Sequence, residues 1–230
     1  MSRKHIFNMI LVFGMMGFVF TLSSCDSDNS STAQDLESAT VRVQNLTPGQ
    51  PFGPTVVIVH NANYRLFENG EPASDGLEQL AEDAFTDPIM MEAEANPDVL
   101  QVFVGSAVPP LQSDQVEIEF TSEFNQVSVA QMLVNTNDAF YAARNVTIPS
   151  SGSTLARVPA YDAGTEVDDE NCLNVPGPAC GGGNRGQNPQ DGVVYISNGV
   201  FGEVNGITTD LDNQSLYDWR NPVADISVSR

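Results

Sequence analysis

From Thr40 onward, short runs of alternating apolar and polar residues recur along the chain, and a period of two is the mark of a strand with one buried face. Residues 41–46 (Val-Arg-Val-Gln-Asn-Leu), 56–60, 100–104 and 116–120 (Val-Glu-Ile-Glu-Phe) carry the pattern or a β-branched run of strand length. Residues 127–134, 145–148, 155–161, 193–196 and 223–228 are further predicted strands. Between 74 and 95 the period lengthens. Leu77, Leu80, Ala81 and Ala84 recur at helical spacing behind Ser74, a predicted N-cap, and Pro88 restarts a second short helix. The pattern predicts a mostly β chain with two helical pieces covering one edge or end.

The first 25 residues follow a different rule. Arg3 and Lys4 precede residues 6–22, which are apolar except for Asn8 among strongly polar groups. That run is short of the ~20 residues a membrane-spanning helix needs, and no basic stop-transfer charges follow, so it predicts a secretory signal. Leu22-Ser23-Ser24-Cys25 resembles the lipobox of bacterial lipoproteins, which implies cleavage before Cys25 and attachment of lipid to its thiol. Residues 26–38 hold scarcely any large apolar group and cannot offset their own ordering entropy. The expected organisation is a signal peptide over 1–24, a flexible tether over 25–39 and one domain over 40–230. The product would be exported and held to the cell envelope, on its periplasmic face or surface.

Charge narrows the partners. The chain has 9 basic and 30 acidic residues, a net charge of -21, and its one lysine lies within the signal. Such a surface repels phosphate backbones and anionic headgroups, which excludes DNA and RNA and disfavours anionic lipid. It suits divalent cations or cationic partners. Cys172 and Cys180 flank an eight-bond spacing in an irregular stretch, 168–191, that also carries Gly181-Gly-Gly183. In an exported protein they are expected to form a local disulfide, with a two-cysteine zinc site as the alternative.

Three acids stand at predicted strand ends or faces: Glu119, Asp138 and Asp162. Hard oxygen ligands so placed suit calcium, and Gly164 permits a turn that would aim Asp162 and Thr165 at one ion. In a chain this acidic, solvated surface carboxylates satisfy the same pattern. His60 is the one histidine left after the signal, and no Gly-x-Ser-x-Gly elbow accompanies it. The glycine run lacks the lysine and following helix of a phosphate-binding loop.

Residues 70–82 (Gly-Glu-Pro-Ala-Ser-Asp-Gly-Leu-Glu-Gln-Leu-Ala-Glu) resemble the Ala-Ser, Gly, Leu-Ala-Glu signature of the spondin domain. Residues 127–140 are similar to its apolar strand followed by Ser-Pro-Asp-Trp-Phe, and Tyr161-Asp-Ala-Gly-Thr-Glu166 nearly repeats its Tyr/Trp-Asp-Ala-Gly-Thr-Asp segment. Residues 221–228 resemble its closing strand, so the likeness runs in order over about 41–228. It implies a C2-like antiparallel β-sandwich of about eight strands holding one calcium ion, its acidic ligands falling on Glu119, Asp138 and Asp162. Asn137 and Ala139 replace the proline and tryptophan beside Asp138, and Glu166 stands for aspartate. The resemblance further implies an adhesion or binding module with a protein or glycan partner, not an enzyme. The alternatives are a secreted hydrolase using His60 with nearby carboxylates, and a structural envelope protein needing no ligand.

Overall fold

A computed structural model describes residues 35–182, 188–200 and 214–230. The signal, Cys25 and most of the tether lie outside the described residues. The strands are β1 (Glu37–Asn45), β2 (Phe52–His60), β3 (Val99–Val108), β4 (Ser113–Phe120), β5 (Gln126–Met132), β6 (Ala139–Thr147), β7 (Ser153–Val158), β8 (Ala160–Asp162), β9 (Tyr195–Ile196) and β10 (Ala224–Ser229). Helices α1 (Asp75–Asp83) and α2 (Asp87–Glu94) lie between β2 and β3, and a one-turn helix α3 (Gln214–Tyr217) precedes β10. The strands form two antiparallel sheets, ordered β4-β1-β10-β7 and β3-β2-β5-β6-β8-β9. An all-β sandwich results.

Burial explains which strands alternate in sequence. In β1 and β4 every second residue is buried, because one face packs inward and the other meets water. β2 and β5 are buried at nearly every position, and β6 is buried throughout Ala139–Ala143. Their inner faces (Val57, Val59, Val127, Val129, Tyr141) meet Val41, Val43, Ile118 and Ile226 of the other sheet. Their outer faces (Val56, Ile58, Ala130, Phe140) are covered by Leu77, Leu80, Ala81 and Ile89. The helices thus form a third layer over the six-stranded sheet, and do not cap an edge or end of the sandwich. Each large aliphatic side chain so buried contributes about 1.5–3 kcal/mol. Ser74 caps α1 by accepting the Leu77 N–H at 3.2 Å, worth about 1 kcal/mol, and Pro88 enters the first turn of α2.

Three boundaries differ from the pattern-based expectation. β1 begins at Glu37, so residues 37–39, assigned to the tether by composition, pair instead with Phe120, Glu119 and Ile118. β6 begins at Ala139, six residues earlier than predicted, because Ala139, Ala142 and Ala143 have weak strand propensity yet are buried, Ala142 under the helices and Ala139 and Ala143 between the sheets. The run 155–161 is two strands. Pro159 has no N–H to give a ladder, and there the chain leaves β10's sheet and enters the other, where β8 pairs with β6.

Candidate metal centre

The switch at Pro159 builds one end of the six-stranded sheet. In the β6–β8 ladder Ala139 faces Asp162, which brings Asp138, one residue before β6, beside Asp162. The Ala163 N–H donates to the Asp138 carbonyl at 3.2 Å and prolongs the pairing. Asp162 Oδ1 accepts the Gly164 N–H at 2.8 Å in a tight turn. Gly164 has φ 73°, and a Cβ there would lie 2.5 Å from the Val193 backbone, so both conformation and space require glycine. Asp138 Oδ2 accepts the Thr165 N–H at 2.8 Å, the Thr165 hydroxyl at 3.2 Å and the Glu166 N–H at 3.0 Å. Thr165 therefore supports Asp138 instead of pointing into the cluster.

These bonds occupy one oxygen of each carboxylate and leave the other. Asp138 Oδ1 and Asp162 Oδ2 are buried without a hydrogen-bond partner. Asp168, on the loop after β8, completes the group: one carboxylate oxygen from each of Asp138, Asp162 and Asp168 lies within 4.8 Å of the others. Two ligands of a single calcium ion, each at about 2.3–2.6 Å, can be that far apart, and hard carboxylate oxygens are its preferred donors. The three residues fit such an ion, with backbone carbonyls or water filling the remaining positions.

Electrostatics show how unfavourable the group is by itself. Burial, then repulsion from Asp162, raises Asp138 to about 6 against the pull of its three hydrogen bonds. Burial and the neighbouring Asp162 push Asp168 up to about 9. Burial also raises Asp162. Beside them Glu166, 2% exposed, is pushed up to about 8 by burial and by Glu82. The Tyr195 hydroxyl faces Asp162, and burial next to these acids raises it too.

Of the residues expected from sequence, Asp138 and Asp162 come together and Glu119 does not join them. Val116, Ile118 and Phe120 point inward from β4, so Glu119 is on the exposed face, paired with Ser38 in the four-stranded sheet. Position along the chain does not reveal that the strand's pleat and sheet direct it away. Asp168 holds the third place instead. Its signal was the acidic run Asp168-Asp169-Glu170, separated from Thr165-Glu166 only by Val167, at the head of the irregular stretch.

His60 is fully buried. Its Nδ1–H donates to the Asn61 carbonyl at 2.7 Å, so Nε2 accepts the Ser128 hydroxyl at 2.9 Å, and Ser128 Oγ in turn accepts the Asn145 N–H. Among the described residues no carboxylate is a hydrogen-bond partner of the imidazole. Cys172 and Cys180 are joined in a disulfide, Cα atoms 5.0 Å apart, in the loop that carries Asp168. The zinc alternative is thereby replaced.

The Spondin_N family matches residues 45–167, more than half of the 230-residue chain. The chain belongs to the spondin N-terminal domain family. The matched stretch holds Asp138 and Asp162 and ends one residue before Asp168. No curated protein matches the chain in sequence. Membership in the spondin family and a disulfide both fit an exported binding module. Among the described residues no helix is long and apolar enough to cross a membrane.

Proposed function

We propose that this spondin domain is a calcium-binding adhesion module, held at the bacterial cell envelope by lipid on Cys25 and acting by binding and not by catalysis. One observation carries the calcium reading: Asp138 Oδ1 and Asp162 Oδ2 are buried, unpaired and converge with Asp168. Burying unpaired acceptors is unfavourable by about 1–3 kcal/mol each, more when charged, and a divalent cation removes that penalty. The ion would tie the end of β8 to the loop holding the disulfide, fixing that loop for contact with a protein or glycan.

Calorimetry of the full chain in detergent should show calcium uptake at one site and a higher melting temperature with calcium than with chelator. Terbium in place of calcium should luminesce on excitation of tyrosine, since Tyr195 faces Asp162. Neither heat nor a melting shift at millimolar calcium would sink this reading. For the anchor, palmitate should label the wild-type chain and not Cys25→Ala; label persisting in the variant would refute lipid attachment there.

A further inference from the structure

Asp138 and Asp162 are set in place by the β6–β8 ladder. Asp168 belongs to a loop and needs a separate restraint. Asn137, 1% exposed, supplies one. Its Nδ2 donates to Asp169 Oδ1 at 3.0 Å, and its Oδ1 accepts the Glu170 N–H at 3.2 Å. Both polar ends of this buried amide are thus spent on the two residues that follow Asp168.

We infer that Asn137 is a positioning residue of the metal centre, clamping residues 169 and 170 so that Asp168 adds a third carboxylate from outside the family-matched stretch. The inference rests on the calcium reading. Asp169 is the hub of the clamp: besides Asn137 it accepts the Asn171 N–H at 2.9 Å, Asn174 Nδ2 at 2.7 Å and Asn188 Nδ2 at 3.0 Å. Four donors thus converge on the Asp169 carboxylate and fix it in place. Glu170 has φ 49°, a left-handed conformation uncommon for a residue with a side chain, and the Asn137 carbonyl oxygen holds its N–H there.

Two residues earlier Asn135 secures the far end of the same loop, its Oδ1 accepting the Ala179 N–H at 2.9 Å. The segment Asn135-Thr136-Asn137-Asp138 therefore presents one ligand and two clamps. A ligand delivered this way makes calcium affinity depend on a residue that never touches the ion.

The test is a double-mutant cycle on calcium affinity, read by calorimetry on the full chain. Asn137→Ala and Asp168→Asn should each weaken calcium binding at least tenfold. In the Asp168→Asn background, adding Asn137→Ala should change affinity less than twofold, because the clamp acts through Asp168. Should Asn137→Ala fail to fold, Asp169→Ala breaks the clamp from the other side, and the same cycle separates it from simple loss of charge, which would persist without Asp168. Wild-type protein that takes up no calcium overturns the calcium reading. Wild-type binding with Asn137→Ala within twofold of it, or the two effects multiplying, overturns the positioning role alone.

Discussion

Asp162 ends β8 directly opposite Ala139, and this single register sets its carboxylate against that of Asp138. Strand pairing, strong and cooperative, here holds together two like charges that would otherwise separate. The arrangement costs stability until a cation or protons neutralise it. Asp162→Asn keeps a carbonyl to accept the Gly164 N–H while removing the charge. Its chelated form should therefore melt a few degrees above wild type, and its calcium affinity should fall at least tenfold. Scanning calorimetry with and without calcium reads both effects, and a lower melting temperature of the chelated variant would count against the repulsion argument.

The same cluster fixes a pH dependence. Asp138 at about 6, Glu166 at about 8 and Asp168 at about 9 all lie above their unfolded values of 3.8, 4.5 and 3.8, chiefly through burial. Between unfolded and folded pKa the native state holds the extra proton, so the stabilisation is complete below the unfolded values and is lost as pH rises through the folded ones. Chelated protein should lose melting temperature steadily from pH 5 to 9. Calcium should flatten that slope and bind more tightly over the same interval, because it displaces the protons. A melting temperature independent of pH in chelator would contradict the buried, ionisable cluster.

His60 works in the opposite direction. Burial lowers its pKa below 6.5, so under acid conditions the unfolded chain takes the proton first and stability falls as pH drops below that value. His60→Ala should cost about 3 kcal/mol or more in urea unfolding, since it strips partners from the Ser128 hydroxyl and Asn61 carbonyl and the packing on Tyr64. Unchanged stability with loss of a hydrolytic activity would instead make this histidine catalytic.

Gly177 tests how tightly the disulfide loop is docked. A Cβ there would lie 2.2 Å from Asn135 Oδ1, a buried side-chain oxygen held by the Ala179 N–H, and 2.3 Å from the Val134 carbonyl oxygen, which is backbone. Gly177→Ala should cost about 1–3 kcal/mol and speed amide exchange at Ala179, whose N–H bonds Asn135. Exchange at Ala179 unchanged from wild type would show that the loop docks without this close approach.

Much of this molecule follows from local pattern. The alternation in residues 41–46 and 116–120 specifies half-buried strands, Ser74 and Pro88 set the two helix starts, and the Asp-Ala-Gly-Thr stretch demands a glycine turn. These signals rest on a residue's own conformational preference and on its near neighbours, which the linear order records. The signature segments likewise pointed to the spondin family and to Asp138 and Asp162.

Other features were decided by contacts remote in sequence. Whether Glu119 looks outward, whether residues 155–161 serve one sheet or two, and which acid joins Asp138 depend on how β4, β8 and the loop at 168 are stacked. An acid's chain position says nothing of the direction its pleat will give it once a sheet forms. Asp168 illustrates the division: its charge is written in the sequence, but its place beside Asp162 exists because Asn137, 31 positions earlier, is brought within hydrogen-bonding distance of Asp169 by the fold.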